Sequence, residues 1–277
     1  MQSTQEKSTS GYAEFQTTVA TALVENCVQG PISGVNVDFL WHSNYTGSNW
    51  RINVGTTGND GKASIELFPG THKFEAKINH TTSVKSFDLD PNVGVDVEFN
   101  PTLVNLNYAG SVKWKYNNYY YTEVLPNYLM FPGTYDFKFY TGNTVDFQES
   151  ISISGCEFEK APIFVHLKSS LGNGLPNADF DYRFGWGSYA NIGVDDTGNG
   201  IWYFLDGNPA NTKVKVMYKG ANKEIEQNVQ NNPKFIFNTV KVTSELLASD
   251  NSDLTGDADF DYRFGYGAYS TFRSCCR

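Results

Sequence analysis

The sequence predicts an all-β chain built from tandem antiparallel β-sandwich modules. Three observations carry that prediction. The stretch Ala178-Asp179-Phe180-Asp181-Tyr182-Arg183-Phe184-Gly185-Trp186-Gly187 returns almost letter for letter as Ala258-Asp259-Phe260-Asp261-Tyr262-Arg263-Phe264-Gly265-Tyr266-Gly267, 80 residues on. Within it Ala178, Phe180, Tyr182 and Phe184 alternate with Asp179, Asp181 and Arg183. That period of two belongs to a strand with one apolar and one charged face, and recurrence at a domain-sized spacing marks tandem modules. The composition agrees: 17 Tyr, 20 Phe and 25 Gly with only 18% charged residues suit short strands joined by tight turns.

The 277 residues allow two to four domains. Residues 1–14 form a polar, flexible tail. Residues 15–100 form the first module: strands at 17–25, 35–39, 49–54, 63–67, 73–77, 84–88 and 95–99, with turns at Gly30-Pro31, at 56–61 and at Phe68-Pro69-Gly70-Thr71. Residues 101–162 form a shorter second module, in which Phe131-Pro132-Gly133-Thr134 repeats the earlier turn. Residues 163–236 form the third, containing the repeated stretch. Residues 237–277 are an incomplete fourth, its opening strand beginning near Phe235. Seven short strands per module, spaced by Gly, Asn and Pro turns, is the pattern of a sandwich. One helical turn is expected at 244–248. Linkers are nearly absent, so the modules are expected to form an elongated rod.

Composition also excludes function classes. The formal net charge is −9 with no basic run, which argues against a nucleic-acid partner. No apolar window is long enough for a membrane span. Residues 1–10 lack the apolar core of a leader, so either a leader has been removed or the sequence is a segment of a longer protein, which we prefer. Four cysteines are too few and too scattered for a disulfide scaffold. Cys27 and Cys156 stand alone, and the neighbours Cys275 and Cys276 are poorly placed to bridge each other.

Gly58 and Gly61 with residues 68–71, Pro132-Gly133-Thr134-Tyr135-Asp136-Phe137, and residues 178–187 with Gly198 and Gly200 together resemble a known pattern. It is that of the tandem Ig-like repeats, carboxypeptidase-regulatory-like and Cna-B-like, of large bacterial cell-surface and extracellular proteins. The resemblance spans residues 15–277. It implies Ig-like sandwiches on the cell surface. It is specific for architecture and does not name an activity. The third module departs from it, with Asp206-Gly207-Asn208-Pro209 in place of Pro-Gly-Thr. The Lys, Asn and acid set of an isopeptide bond has no clear placement here.

Candidate chemistry is sparse. His42, His72, His80 and His166 lack the spacing of a metal site, and His72 reads as a surface strand residue. Asp179 and Asp181 share a strand face about 7 Å apart, a separation similar to that of glycosidase acids, but Arg183 lies on the same face and the group is duplicated, so a solvated, charge-paired face is the better reading. Residues 195–200 offer oxygen ligands for Ca²⁺, or simply a tight turn, which we prefer. The aromatic residues Trp41, Trp50, Trp114, Tyr119, Tyr120, Trp186 and Tyr189 fill module cores for the most part, and those that cannot face inward are candidates for module interfaces or sugar contacts. Asn44 and Asn79 open acceptor triplets for N-glycosylation. Phe260, Tyr262 and Phe264 are expected to present an uncovered face, covered either by further strands of a longer chain or by another subunit, whose residues 11–23 are the obvious donor strand.

The expectation is therefore an extracellular or cell-surface protein, structural or adhesive and not an enzyme, part of a fibre, filament or stalk. It needs no cofactor and no metal. Its expected partners are its own copies head to tail, other surface proteins, or glycans. The alternative is a carbohydrate-binding module array of a secreted enzyme.

Overall fold

A computed structural model describes residues 6–7, 13–42, 49–118, 121–207, 209–242, 258–262 and 270–274. All its regular elements are strands. The chain divides into two compact units, residues 1–106 with 110–159, and residues 107–109 with 160–277.

The first unit opens with a sandwich. Its central strand, Thr18–Asn26, is rich in Val and Ala and is hydrogen-bonded on both edges. Lys62–Leu67 runs antiparallel on one side, and Val95–Phe99 runs parallel on the other. The facing sheet has the order Asn49–Thr56, Asn36–His42, Gly70–Ile78, Thr81–Leu89, all antiparallel. Ala20, Ala22 and Val24 from one sheet meet Val37, Phe39, Phe74, Ala76, Phe87 and Leu89 from the other in one core. Burying a side chain of the Val, Leu or Phe class contributes about 1.5–3 kcal/mol. Because Thr18–Asn26 already has two neighbours, residues 18–23 are not free to act as a donor strand, and that expectation is withdrawn.

A second set of strands follows after Asn100-Pro101. Thr102–Leu106 pairs with Tyr128–Met130. Tyr121–Glu123, Ser111–Lys115, Gly133–Thr141 and Thr144–Ile153 form a four-stranded sheet. Val112, Trp114, Phe137 and Phe139 are buried on its inner face.

The second unit repeats the first sandwich strand for strand. Glu157–Lys168 is flanked by Ile201–Asp206, antiparallel, and Lys234–Asn238, parallel. The facing sheet has the order Ala190–Asp195, Ala178–Phe184, Thr212–Tyr218, Ala221–Gln227. The repeated stretch is thus the second strand of the sandwich, and Phe180 sits fully buried among Ala161, Val165, Val214, Val216 and Phe237. Phe235 and Phe237 belong to the same core. Lys234–Asn238 therefore closes this sandwich, where the sequence reading had it opening the next. Thr212–Tyr218 takes a regular register despite the lost Pro-Gly-Thr. Two further pairs are described by their backbone, Glu6–Lys7 with Ala13–Glu14 and Ala258–Tyr262 with Ser270–Ser274.

The repetition extends to an irregularity. Val37 opposes Gly55 and Asp38 opposes Asn53, so Val54 is extra. Phe180 opposes Gly193 and Asp181 opposes Asn191, so Ile192 is extra. The glycines at these bulges have φ of 133° and 134°, a region closed to residues with a Cβ. Each bulge is followed by an acid whose carboxylate meets a lysine. Asp38 pairs with Lys77 at 2.5 Å, and Asp181 pairs with Lys215 at 2.9 Å. Lys77 also reaches the buried Glu75 at 2.8 Å, which Arg51 contacts at 2.9 Å. The hydrogen bonds that the Lys77 ammonium donates, to Asp38 first and Glu75 second, hold it above its ordinary pKa. That stabilisation is complete below the ordinary lysine range and is lost as pH rises through the raised value.

Candidate functional site

The most elaborate constellation in the first unit is the junction between its two sets of strands. Asn79 and His80 form the two-residue turn between Gly70–Ile78 and Thr81–Leu89, with φ of 45° and 66°, the doubly positive conformation of a tight hairpin. The turn is gripped from the other side. The Asn79 amide donates to the Leu129 carbonyl at 3.0 Å, and the Tyr128 hydroxyl donates to the Asn79 carbonyl at 3.4 Å. The Phe131 N–H donates to Thr81 Oγ1 at 3.0 Å. The Tyr116 ring stacks on His80 with centroids 4.3 Å apart. Phe131 is only 1% exposed. It belongs to the core of the first sandwich, with its ring 6.2 Å from Phe99.

A covalent link closes the same junction. Cys27, just after the central strand, is bonded to Cys156, with Cα atoms 5.6 Å apart. These two residues stand alone in the sequence, which leaves their pairing open, and only the fold brings them together. Asn26 is buried beside the bridge. Its amide donates to the carbonyls of Pro101 at 2.8 Å and Cys156 at 2.7 Å, and its Oδ1 accepts from the N–H groups of Val28 and Gln29. No sequence motif marks Asn26. Its burial with every polar atom satisfied is what identifies it.

The aromatic candidates separate into three classes. Trp41 and Trp50 oppose each other directly across the pair of strands and remain 39% and 54% exposed. Trp114 is buried, its indole N–H 3.4 Å from the Tyr128 hydroxyl, so it is a core residue and not a surface contact. Trp186 is almost fully exposed. Tyr189 lies between two cations, with Arg183 4.5 Å and Lys215 4.2 Å from its ring centre. Burial first, then the Glu224 carboxylate, pushes its hydroxyl up to about 12. Tyr119, Tyr120, Asn44 and Phe264 lie outside the described residues, as does the expected turn at 244–248. Phe260 and Tyr262 lie on the strand Ala258–Tyr262. Asn79 is the turn residue whose amide is already engaged.

The other candidates resolve into structure. Asp179 and Asp181 both accept from the Asn191 amide at 3.1 Å. Arg183 lies 3.8 Å from Glu224. This is a charge-paired face. His72 is buried, correcting its reading as a surface residue, because the strand register turns it inward between Phe39 and Phe87. Its Nε2–H donates to the Phe68 carbonyl at 2.7 Å. Among the described residues no group of three or more His, Cys, Asp or Glu is arranged to hold a metal.

The loop 195–200 is an Asp-anchored turn. Asp195 Oδ1 accepts from the Gly198 N–H at 2.8 Å and from Thr197, and Oδ2 accepts from the Gly200 N–H at 2.7 Å. Burial alone raises this carboxyl, but the N–H of Gly200, the Thr197 hydroxyl and the N–H groups of Gly198 and Thr197 outweigh it and hold the pKa below its ordinary value. The stabilisation is present above the ordinary carboxylate value of about 3.9 and is lost as pH falls through the lowered one. Asp195→Ala is therefore expected to destabilise the second unit at neutral pH. Its difference from the parent should shrink in unfolding curves taken progressively below pH ~4. A difference independent of pH would exclude the carboxylate as its source.

No protein-family model and no curated protein matches this chain. The Bacillus anthracis TIE protein matches in structure at 14% identity and a TM-score of 0.25, over 82% of this chain and 50% of that one. BcpA, the major pilin subunit of Bacillus cereus, matches at 10% identity and a TM-score of 0.26, over 81% of this chain and 99% of that one. A streptococcal ancillary pilin matches at 8% identity and a TM-score of 0.27, over 83% and 63%. The chain spans half the length of the TIE protein structure, and TM-scores this low establish no common fold.

Proposed function

We propose that this chain is a non-enzymatic structural segment of an extracellular or cell-surface fibre, filament or stalk that makes its contacts through β-sandwich modules. One observation carries the reading: successive strand sets are joined without a linker and locked at the junction by a disulfide, a buried asparagine and an inserted phenylalanine. A lock of this kind suits a part whose task is to hold a fixed geometry. Disulfides persist in oxidising, extracytoplasmic surroundings, which supports the location. Electron micrographs of the oxidised protein are expected to contain continuous fibres. Isolated single-chain particles at every concentration would defeat the proposal.

The exposed Trp41 and Trp50 pair also suits a sugar platform, the chemistry of the second reading. Titration with soluble polysaccharides while following Trp fluorescence separates the two. The fibre reading expects no saturable change.

A further inference from the structure

The geometry points to an open docking platform at the free end of the first sandwich, built for the turn-bearing end of a sandwich in a second copy of this chain. The inference rests on the fibre reading and names the surface that makes the contact. Its warrant is that the same platform occurs twice in the first unit, once occupied and once open.

The occupied platform is that of Phe131-Pro132-Gly133-Thr134-Tyr135. The Tyr135 hydroxyl donates back to the Phe131 carbonyl at 2.7 Å, which fixes the turn and aims the Phe131 ring into the preceding sandwich. Phe68-Pro69-Gly70-Thr71-His72 has the same construction. Here the His72 ring donates to the Phe68 carbonyl, also at 2.7 Å. Strand register extends the equivalence. Trp114 opposes Phe137, six residues after Phe131, and Phe39 opposes Phe74, six residues after Phe68. Trp114 and Phe39 therefore correspond, and so do the residues two further along, Tyr116 and Trp41. In the occupied platform Phe131 and Tyr116 grip the Asn79–His80 turn. In the open one their counterparts Phe68 and Trp41 are 45% and 39% exposed, and Trp50 lies opposite Trp41. Against Phe68 stands Phe15, edge to face at 6.0 Å and itself exposed.

The second unit supplies the matching end. Lys219 and Gly220 connect its fifth and sixth sandwich strands with φ of 48° and 78°, the conformation of Asn79 and His80. After its closing strand, Val240 and Val242 are exposed. An ammonium beside indole faces is an attractive pair, so Lys219 complements Trp41 and Trp50. The contact joins two different surfaces and does not close on itself, so it propagates as a filament.

The test uses the full chain with Cys275→Ser and Cys276→Ser, so that no disulfide joins copies. Sedimentation of this parent is expected to show concentration-dependent growth. Phe68→Asp removes one end of the contact, and Val240→Asp with Val242→Asp removes the other. Each variant should weaken association by about 30-fold or more, the effect of losing a central interface anchor. Mixed together, the two variants should form one-to-one pairs and stop there, because each retains one intact end. The pairing experiment also covers the case in which Phe68→Asp misfolds, since Trp41→Ser can replace it. If the parent forms fibres and Phe68→Asp and Trp41→Ser form them equally well, the platform is not the contact, while the fibre function stands. If the parent stays monomeric throughout, both fail.

Discussion

Phe180→Ala is expected to unfold the second unit while the first remains folded. Phe180 is fully buried at the centre of the repeated strand, with its ring 6.1 Å from Phe237. Truncating a core phenylalanine removes its transfer energy and leaves a cavity, together about 3–5 kcal/mol. That is a large part of the 5–15 kcal/mol by which a typical domain is stable. The two cores share no residue, so the loss should stay local. Hydrogen exchange resolved by peptide is the measurement. Protection should fall across 160–238 and persist in Thr18–Asn26 and Gly70–Ile78. A uniform fall through both units would show that they unfold together.

Reducing the Cys27–Cys156 bridge, or replacing Cys27 by Ser, is expected to be the second large effect. The bonded residues are 129 apart in sequence. Closing a loop of that size restricts the unfolded chain, which loop-closure entropy values at up to about 5 kcal/mol, with about 2–5 typical of native bridges. For a unit of this size the thermal midpoint should drop by roughly 5–20 °C. The second unit's transition should not move. Scanning calorimetry with and without reductant reads both. An unchanged first transition in fully reduced protein would mean that the non-covalent junction suffices alone.

The strands were legible because alternation is a local property. Val37 and Phe39, or Phe180 beside Asp181, declare a buried and a solvated face without reference to anything distant. Neighbours were less legible. Nothing in Val95–Phe99 or Lys234–Asn238 says that each lies parallel to the strand opening its own sandwich, because a period of two marks faces and not partners. This is why the sequence alone assigns the strand that begins near Phe235 to the start of a new module. Trp114 and Trp41 show the same limit. Each is on the inward face of the corresponding strand, and the pattern treats them alike. Trp114 lies within the covered part of its sheet, and Trp41 lies beyond it. The junction was half visible. The repeated Phe-Pro-Gly-Thr was seen as a turn, but the insertion of Phe131 into a neighbouring core depends on tertiary packing. The pairing of Cys27 with Cys156 depends on it still more.

The bridge also decides how the chain carries load. A protein pulled by its two ends transmits tension along the shortest covalent path. Here that path runs from residue 27 across the two sulfurs to residue 156. Residues 28–155 hang from the bridge as a closed loop and bear none of the tension, whether they are folded or not. Only the strand Thr18–Asn26 lies on the taut path and can be peeled from the first sandwich. If the bridge were cut, the hidden loop would add roughly 420–460 Å of slack at ~3.3–3.6 Å per residue. Intact, it makes the first unit nearly inextensible.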